Sequence, residues 1–211
     1  MSDKPSAAEH EKEVPKKRKT LSVKVVRNVE DMMKITAIRA AVYMAEQDCP
    51  YEEEFDGNDF CATHLIGYVD DEPVACLRMR YFGGFVKMER LAVRHNFRKT
   101  RIAFKVIREG IKHCNRKGFT KIYGHARDEL IPLWGMFGFK VYEGSRKLVF
   151  SEYSYTEMVC ENLLPEDAIT LDADPYQLIR PEGDWDRPGV LEDSATRELQ
   201  SADTRYIVAA E

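Results

Sequence analysis

Residues Lys87–Lys117 read KMERLAVRHNFRKTRIAFKVIREGIKHCNRK, and the period of the sequence changes within this stretch. The β-prone run Phe85–Val93 predicts a strand on which Glu89, Leu91 and Val93 share one face. After a basic loop, small and apolar residues recur at helical spacing and predict a helix docked on a sheet. Those residues are Ala103, Val106, Ile107, Gly110, Ile111 and Cys114, and the basic residues expected to face water are Lys105, Arg108, Lys112 and Arg116.

The loop between this strand and this helix is RHNFRKTR, residues Arg94–Arg101. A helix N-terminus presents free N–H groups and the positive end of the helix dipole. Basic residues beside it therefore favour an anionic ligand, above all a pyrophosphate. The loop matches neither GxxxxGK nor GxGxxG. A solvated basic helix start explains the loop equally well at this point.

Together with the residues that follow, the stretch resembles the acetyl-CoA-dependent N-acetyltransferase (GNAT) superfamily over roughly residues 22–160. Arg98–Ala103 matches the family loop Arg/Gln-x-x-Gly-x-Gly/Ala. Lys121–Ala126 followed by Leu133–Phe139 matches the family's strand, short helix and aromatic-Gly-Phe ending. The resemblance implies an α+β fold, with a mixed, mostly antiparallel central sheet that is splayed between its two central strands and flanked by helices.

The resemblance also implies the activity: an acetyl group passes from acetyl-CoA to a primary amine by direct attack in a ternary complex. The implied cosubstrate contacts are Leu91, Ala92 and Val93 on the strand, Arg98, Lys99, Thr100, Arg101, Ile102 and Ala103 in the loop, and Trp134 in the short helix. A backbone N–H at Leu91 or Ala92 would stabilise negative charge on the carbonyl oxygen. Met88 is out of phase with Leu91 and Val93, which is compatible with a β-bulge at the splay.

The attacking amine must be neutral, which requires a base. Glu89 is the first candidate because it lies on the central strand just before the acetyl position, and His125, one strand over, is the second. A half-exposed surface glutamate and a hydrogen-bonded structural histidine are the ordinary alternatives. We expect His64, His95 and His113 to be surface or packing residues, and nothing in the sequence indicates a metal site.

Two residues depart from the family pattern. Arg101 stands where most members have the first glycine of the loop. Trp134 stands where many members carry the tyrosine that protonates the leaving thiolate, and an indole cannot do this. Either another acid serves, or CoA leaves as a thiolate and is protonated by water.

Two other functions compete with this interpretation. The run Glu54–Asp59 before the strand Ala62–Val69 resembles N-acyl amino acid and acyl-homoserine-lactone synthases, which use long-chain acyl-carrier protein as the donor. The features Trp134 and Arg101 also fit a non-catalytic regulator that keeps the fold and binds a partner.

Charge is unevenly spread along the 211 residues, whose net charge is −4. We expect a disordered basic tail at residues 1–20, the N-acetyltransferase domain at 21–162 and an acidic extension at 163–211. From residue 161 onward the sequence contains thirteen Asp and Glu but only four Arg. This pattern fits an anionic cosubstrate and argues against nucleic acid as a partner.

Five cysteines without a framework and the lack of a long apolar run predict a cytoplasmic protein without membrane contact. The expected partners are a small-molecule or peptide amine and a second copy of the chain.

The remaining elements follow from local signals. Asn28 is the expected N-cap of a helix that runs to about Glu46. Strands are expected at residues 23–26, 62–69, 73–81, 121–126, 140–142 and 150–159, and a buried helix at 130–137. Apolar residues in the acidic extension, among them Tyr176, Leu178, Ile179 and Trp185, are expected to pack on the domain or on a second subunit.

Overall fold

The computed structural model describes residues 19–197, and in this part of the chain the strands form one mixed sheet. The strands are β1 (Leu21–Val25), β2 (Ala62–Val69), β3 (Glu72–Phe82), β4 (Phe85–Val93), β5 (Lys121–Arg127), β6 (Lys140–Val141), β7 (Lys147–Phe150) and β8 (Tyr153–Glu161). Their order is β1-β2-β3-β4-β5-β8, and β6 and β7 both pair with β8. The β4–β5 pair is parallel, whereas the others are antiparallel, so the expected mixed, mostly antiparallel sheet is confirmed.

Helices flank the sheet on both faces. They are α1 (Val29–Arg39), which continues through a π-turn (Ala40–Met44) into α2 (Ala45–Gln47), then α3 (Tyr51–Glu54), α4 (Ile102–Arg116), α5 (Ile131–Gly135) and α6 (Pro175–Ile179). Asn28 caps α1 as predicted, since its side chain accepts a hydrogen bond from the Asp31 N–H at 2.8 Å. None of the helices between residues 19 and 197 is long and apolar enough to cross a membrane.

The long helix α4 packs on one face of the sheet through its apolar stripe, as predicted. Val106, Ile107 and Cys114 are fully buried there. Gly110 permits close approach, because a Cβ atom at this position would lie 2.6 Å from Leu77 Cδ2 and 3.0 Å from Met88 Cε. The opposite face is covered by α1 and the π-turn that follows it, whose Ile35, Ile38 and Val42 pack on Ile66, Cys76 and Ala92.

A β-bulge interrupts β4, and the phase of Met88 against Leu91 and Val93 is compatible with it. The register runs from Arg78 opposite Glu89 to Cys76 opposite Ala92, so Arg90 and Leu91 together oppose one residue of β3. Arg90 adopts a left-handed conformation at φ 55°. The extra residue reverses the alternation of faces. Glu89 therefore does not share a face with Leu91 and Val93, as strict alternation had predicted, but lies on the α1 side of the sheet.

The structure corrects two further elements near the C-terminal half of the sheet. The predicted strand at residues 150–159 is two strands, because the chain turns at Ser151 and Glu152, both with positive φ, between β7 and β8. The predicted buried helix is the short α5, of which Trp134 is buried while the flanking Leu130 and Met136 are exposed.

The acidic extension runs back over β1 and α4. Its residues Glu182–Asp186, which we call the C-terminal strap, include Trp185, whose ring packs 5.0 Å from that of His113. Arg116 was expected to face water, but it is buried and pairs with Asp167 (2.8 Å) and Asp186 (2.5 Å). Tyr176, Leu178 and Ile179 are exposed, so they are not buried against the domain, and their packing on a second subunit stays a prediction.

The domain boundaries at residues 20 and 163 remain predictions. The tail predicted at residues 1–20 lies almost wholly outside the described residues, as do positions 198–211 of the predicted extension.

Candidate active site

The two central strands separate shortly after they begin. β4 and β5 pair only at Val86–Ile122 and Lys87–Tyr123. They still touch at Gly124, where a Cβ atom would lie 2.9 Å from the Met88 carbonyl oxygen. Beyond this point, the ends of β4 and β5 face each other across a gap with no ladder hydrogen bonds. Such free strand edges can accept an extended ligand as a substitute strand.

On the β4 side of the gap, the backbone is held from outside by Tyr43. The Tyr43 hydroxyl donates a hydrogen bond to the Leu91 carbonyl oxygen at 2.8 Å, and burial raises the pKa of this phenol well above its ordinary value. Ala92 and Val93 are buried and Leu91 is half-buried. These three predicted cosubstrate contacts lie on the β4 side of the gap, and the carbonyl oxygen of Leu91 is already bonded to Tyr43.

Arg90 ties the bulge to the segment that contains α3. Its Nη2 donates to the Glu53 carbonyl oxygen at 2.6 Å and lies 3.3 Å from Asp56 Oδ2. Its Nε lies 3.2 Å from Glu54 Oε2, and Glu54 is only 1% exposed and also pairs with the buried Arg39. The bulge is thus anchored by charges from an element that is distant in sequence.

The basic loop forms a 3₁₀ turn, His95–Thr100, that leads into α4. The Thr100 hydroxyl donates to the Phe97 carbonyl oxygen at 2.6 Å and closes the turn. Arg98 is already engaged, since its Nε donates to the Val93 carbonyl oxygen at 3.1 Å and its Nη2 pairs with Glu46. Arg101 precedes the first residue of α4 in a left-handed conformation, at φ 67°.

This loop fits a phosphate-bearing ligand. Lys99 and Arg101 are exposed and make no ion pair with any residue between 19 and 197. They flank the N-terminus of a fifteen-residue helix, where N–H groups and the helix dipole favour an anion. Ile102 is fully buried and Ala103 is half-buried at the start of this helix.

Glu89, the first candidate base, lies in a cluster of cations. Its carboxylate accepts a hydrogen bond from Arg78 Nε at 2.9 Å and lies 2.8 Å from Lys87 Nζ and 3.7 Å from Arg80. Burial alone would raise the pKa of Glu89, but Lys87, Arg78 and Arg80 outweigh it and hold the pKa below its ordinary value. A carboxylate stabilised in this way is a weak proton acceptor.

His125, the second candidate, lies on β5 just beyond its last pairing with β4. Its Nε2 is 2.7 Å from the Tyr123 hydroxyl, which donates to Glu157 Oε1 at 2.6 Å. Burial and then Lys87 lower the pKa of His125, although Glu157 and Glu89 oppose them. The imidazole is therefore neutral at neutral pH and is able to accept a proton.

Sequence reasoning did not identify Tyr123 and Glu157. The alternation of β5 places Tyr123 and His125 on the same face, which is a signal that the sequence contains. Glu157 required the β5–β8 register, in which it lies directly opposite His125.

Trp134 belongs to the core of the sheet. It is 8% exposed, and its ring packs against that of Phe139 with centroids 5.0 Å apart.

His64 forms a hydrogen bond between its Nε2 atom and the Asp59 carbonyl oxygen at 3.0 Å. Within residues 19–197, no group of three His, Cys, Asp or Glu side chains is arranged to hold a metal ion.

Several known proteins resemble this chain in sequence or in fold. A candidate acetyltransferase of Bacillus subtilis (strain 168) is 27% identical over 124 residues, which cover 57% of this chain and 84% of that protein. YjcF, an uncharacterized N-acetyltransferase of the same strain, is 25% identical over 117 residues, 56% of this chain and 84% of its own. The crystal structure of Escherichia coli ElaA shares the fold, with a TM-score of 0.61 at 21% identity over 67% of this chain and 100% of that one. The family model for the acetyltransferase (GNAT) family matches residues 31–139, about half of the sequence, and the chain belongs to this family.

Proposed function

We propose that this chain transfers an acetyl group from acetyl-CoA to a primary amine of a small molecule or peptide, by direct attack while both substrates are bound. The observation that carries the proposal is the gap between β4 and β5, bordered by a bulge and followed by a basic helix start. Family membership supports a CoA thioester as the donor class, because the family generally uses acyl-CoA.

Acetyl-CoA would supply the acyl group activated as a thioester. The free edges of Leu91–Val93 and His125–Arg127 would bind its extended arm, and Lys99, Arg101 and the α4 amides would bind its phosphates. A backbone N–H at Leu91 or Ala92 would favour negative charge on the carbonyl oxygen. Holding both reactants in place would contribute much of the rate.

His125 is the base that the contacts favour. It is neutral at neutral pH, it lies at the start of the gap, and it is oriented by Tyr123. Glu89 is committed to Arg78 and Lys87 and would act by holding these cations in place. Trp134 lies in the core and its indole cannot protonate sulfur, so either another acid or water would protonate the leaving thiolate.

The first test is isothermal titration of the full chain with acetyl-CoA, desulfo-CoA, a long-chain acyl-CoA and a long-chain acyl-carrier protein. Micromolar binding of acetyl-CoA, followed by acetylation of a member of an amine and peptide panel, is the expected result. Preference for the acyl-carrier protein would identify an N-acyl amino acid synthase instead. If no CoA species binds and no amine is acylated, the chain is a non-catalytic member of the family.

A further inference from the structure

We infer that Tyr123 and Glu157 are positioning residues that keep the single proton of neutral His125 on Nε2, so that Nδ1 is the atom that accepts the proton of the attacking amine. The inference rests on the proposed function for its chemical role. The placement of the proton itself is independent of that function.

The protons that these three groups can donate determine the tautomer of His125. A tyrosine hydroxyl has one proton to donate. Tyr123 lies 2.6 Å from Glu157 Oε1, while the other carboxylate oxygen accepts from the Arg146 N–H at 2.8 Å. These bonds hold the pKa of Glu157 below its ordinary value, so the group is ionised and can only accept.

The Tyr123 proton is therefore directed to Glu157. The hydroxyl oxygen also lies 2.7 Å from His125 Nε2, and at this distance one of the two atoms must carry a proton. Since the hydroxyl has none left to donate, the Nε2–H of His125 donates to the Tyr123 oxygen. A neutral imidazole has one N–H, so Nδ1 has a free lone pair.

The fold fixes this chain of three groups. Tyr123 and His125 are two residues apart on β5, and Glu157 lies opposite His125 on β8, so all three side chains emerge on one face. The Phe150 ring of β7 lies beside the imidazole, with centroids 5.9 Å apart and an interplanar angle of 29°. His125 Nδ1 has no hydrogen-bond partner among residues 19–197.

The surrounding charges suit a histidine that gains a proton and then releases it. Lys87 and Glu89 on β4 and Glu157 on β8 face the ring, and Phe150 covers one side. In the proton transfer, the N–H bond of the amine breaks and an Nδ1–H bond forms, while the nitrogen electron pair becomes available for attack. The resulting imidazolium keeps its Nε2–H bond to Tyr123, and it loses the Nδ1 proton to water.

The test is long-range ¹H–¹⁵N correlation spectroscopy of the ¹⁵N-labelled full chain, with His125 assigned by comparison with His125→Asn. We expect one fixed Nε2–H tautomer in the wild type. Tyr123→Phe removes the acceptor and should give a tautomer mixture. Tyr142→Phe is the matched control, since the Tyr142 ring lies 6.5 Å from Tyr123 and is half exposed, and it should leave the spectrum unchanged.

An activity measurement then links the tautomer to the reaction. With the amine found in the panel, Tyr123→Phe should lower kcat about tenfold or more with the KM for acetyl-CoA unchanged. Glu157→Ala, which removes the acceptor of the Tyr123 proton, serves as a second variant with the same expected direction if Tyr123→Phe does not fold.

An Nδ1–H tautomer in the wild type, or a tautomer that Tyr123→Phe and Glu157→Ala leave unaltered, would overturn the inference. Both spectroscopic outcomes are read without any substrate. They therefore remain distinguishable from a failure of the proposed function, in which no amine is acetylated.

Discussion

Arg78 and Asp56 form a two-bonded ion pair, with Nη1 2.8 Å from Oδ1 and Nη2 2.5 Å from Oδ2. Arg78 is 0% exposed and also bonds to Asp59 at 2.9 Å and Glu89 at 2.8 Å. One buried guanidinium on β3 thus joins three carboxylates from β4 and from the loop after α3. The α1 face of the sheet beside the gap is therefore built on charges rather than on apolar side chains.

We expect Arg78→Met to lower the free energy of unfolding by about 3–5 kcal/mol, because it removes the buried cation that Asp56, Asp59 and Glu89 share. The measurement is denaturant unfolding at neutral pH. Arg80→Met is the control, since Arg80 is partly exposed and its contact with Glu89 is 3.7 Å, and it should cost no more than about 1 kcal/mol. Equal, small effects of both substitutions would show that the buried network does not stabilise the fold.

Arg101 combines a strained backbone with a candidate phosphate contact, and two substitutions separate these roles. Arg101→Gly should raise the free energy of unfolding by about 0.5–1 kcal/mol, because glycine adopts φ 67° without strain. Arg101→Glu keeps the strain and reverses the charge, so it should weaken acetyl-CoA binding at least tenfold in titration. Unchanged affinity in Arg101→Glu would remove this loop from the proposed cosubstrate site.

The strand, loop and helix of residues 85–116 were predictable because their signals are local. The phase of Met88 against Leu91 is compatible with a bulge, but strict alternation along β4 places Glu89 on the face of Leu91 and Val93, which is wrong. A bulge inserts one residue, so each side chain after it lies on the opposite face from the one that strict alternation predicts. The bulge contains Arg90 in its left-handed conformation, and it accounts for the misplacement of Glu89. The family pattern alone does not specify which residue carries that conformation.

Contacts between segments that are distant in the chain could not be predicted from the sequence. Glu157 reaches Tyr123 only because β8 pairs with β5, and Arg116 is buried only because Asp167 and Asp186 return to it. Neither contact can be predicted from the periodicity of the sequence, because the first depends on strand register and the second on the path of an irregular segment. His125 was identified as a candidate, whereas the groups that orient it were not.

Gly183 sets how closely the C-terminal strap approaches β1. Its φ is +80°, and a Cβ atom would lie 2.4 Å from Val25 Cγ2. We expect Gly183→Ala to lower the free energy of unfolding by about 2–3 kcal/mol, through backbone strain and displacement of the strap. Gly144→Ala is a matched control, because Gly144 has φ +76° with nothing within 4 Å and so reports strain alone. If thermal unfolding shifts equally in both variants, the close approach to Val25 contributes nothing.

Glu182 should make the strap sensitive to acid. Burial alone would raise its pKa, but the bonds from His113 (2.9 Å) and Lys117 (2.7 Å) lower it to about 2. Because the folded pKa lies below the ordinary value of 4.5, the stabilisation is present above about pH 4.5 and is lost as pH falls towards 2.

The corresponding variant is Glu182→Gln. It should be less stable than wild type by about 1 kcal/mol at neutral pH, a value reduced for solvent screening because Glu182 is 35% exposed. The difference should shrink as pH falls through 4 in chemical denaturation. Glu161→Gln, at an exposed ion pair with Lys121, should show little difference at any pH, and a constant gap for Glu182→Gln would contradict the assigned pairing.

Lys87 lies between the two candidate bases, and its removal distinguishes them. After burial, Lys87 is the main cause of the lowered pKa of His125, and it also pairs with Glu89 at 2.8 Å. In Lys87→Met the cation is gone and the charge of Glu89 is less neutralised, and both changes raise the pKa of His125.

The acid limb of kcat/KM should therefore move to higher pH in Lys87→Met, with a several-fold loss of kcat/KM near pH 6 that disappears near pH 8. Lys121→Met, at the start of β5 and exposed, should leave the profile in place. If Glu89 were the base, the same substitution would raise the pKa of a carboxylate that titrates far below this range, and the profile between about pH 6 and 8 would stay flat.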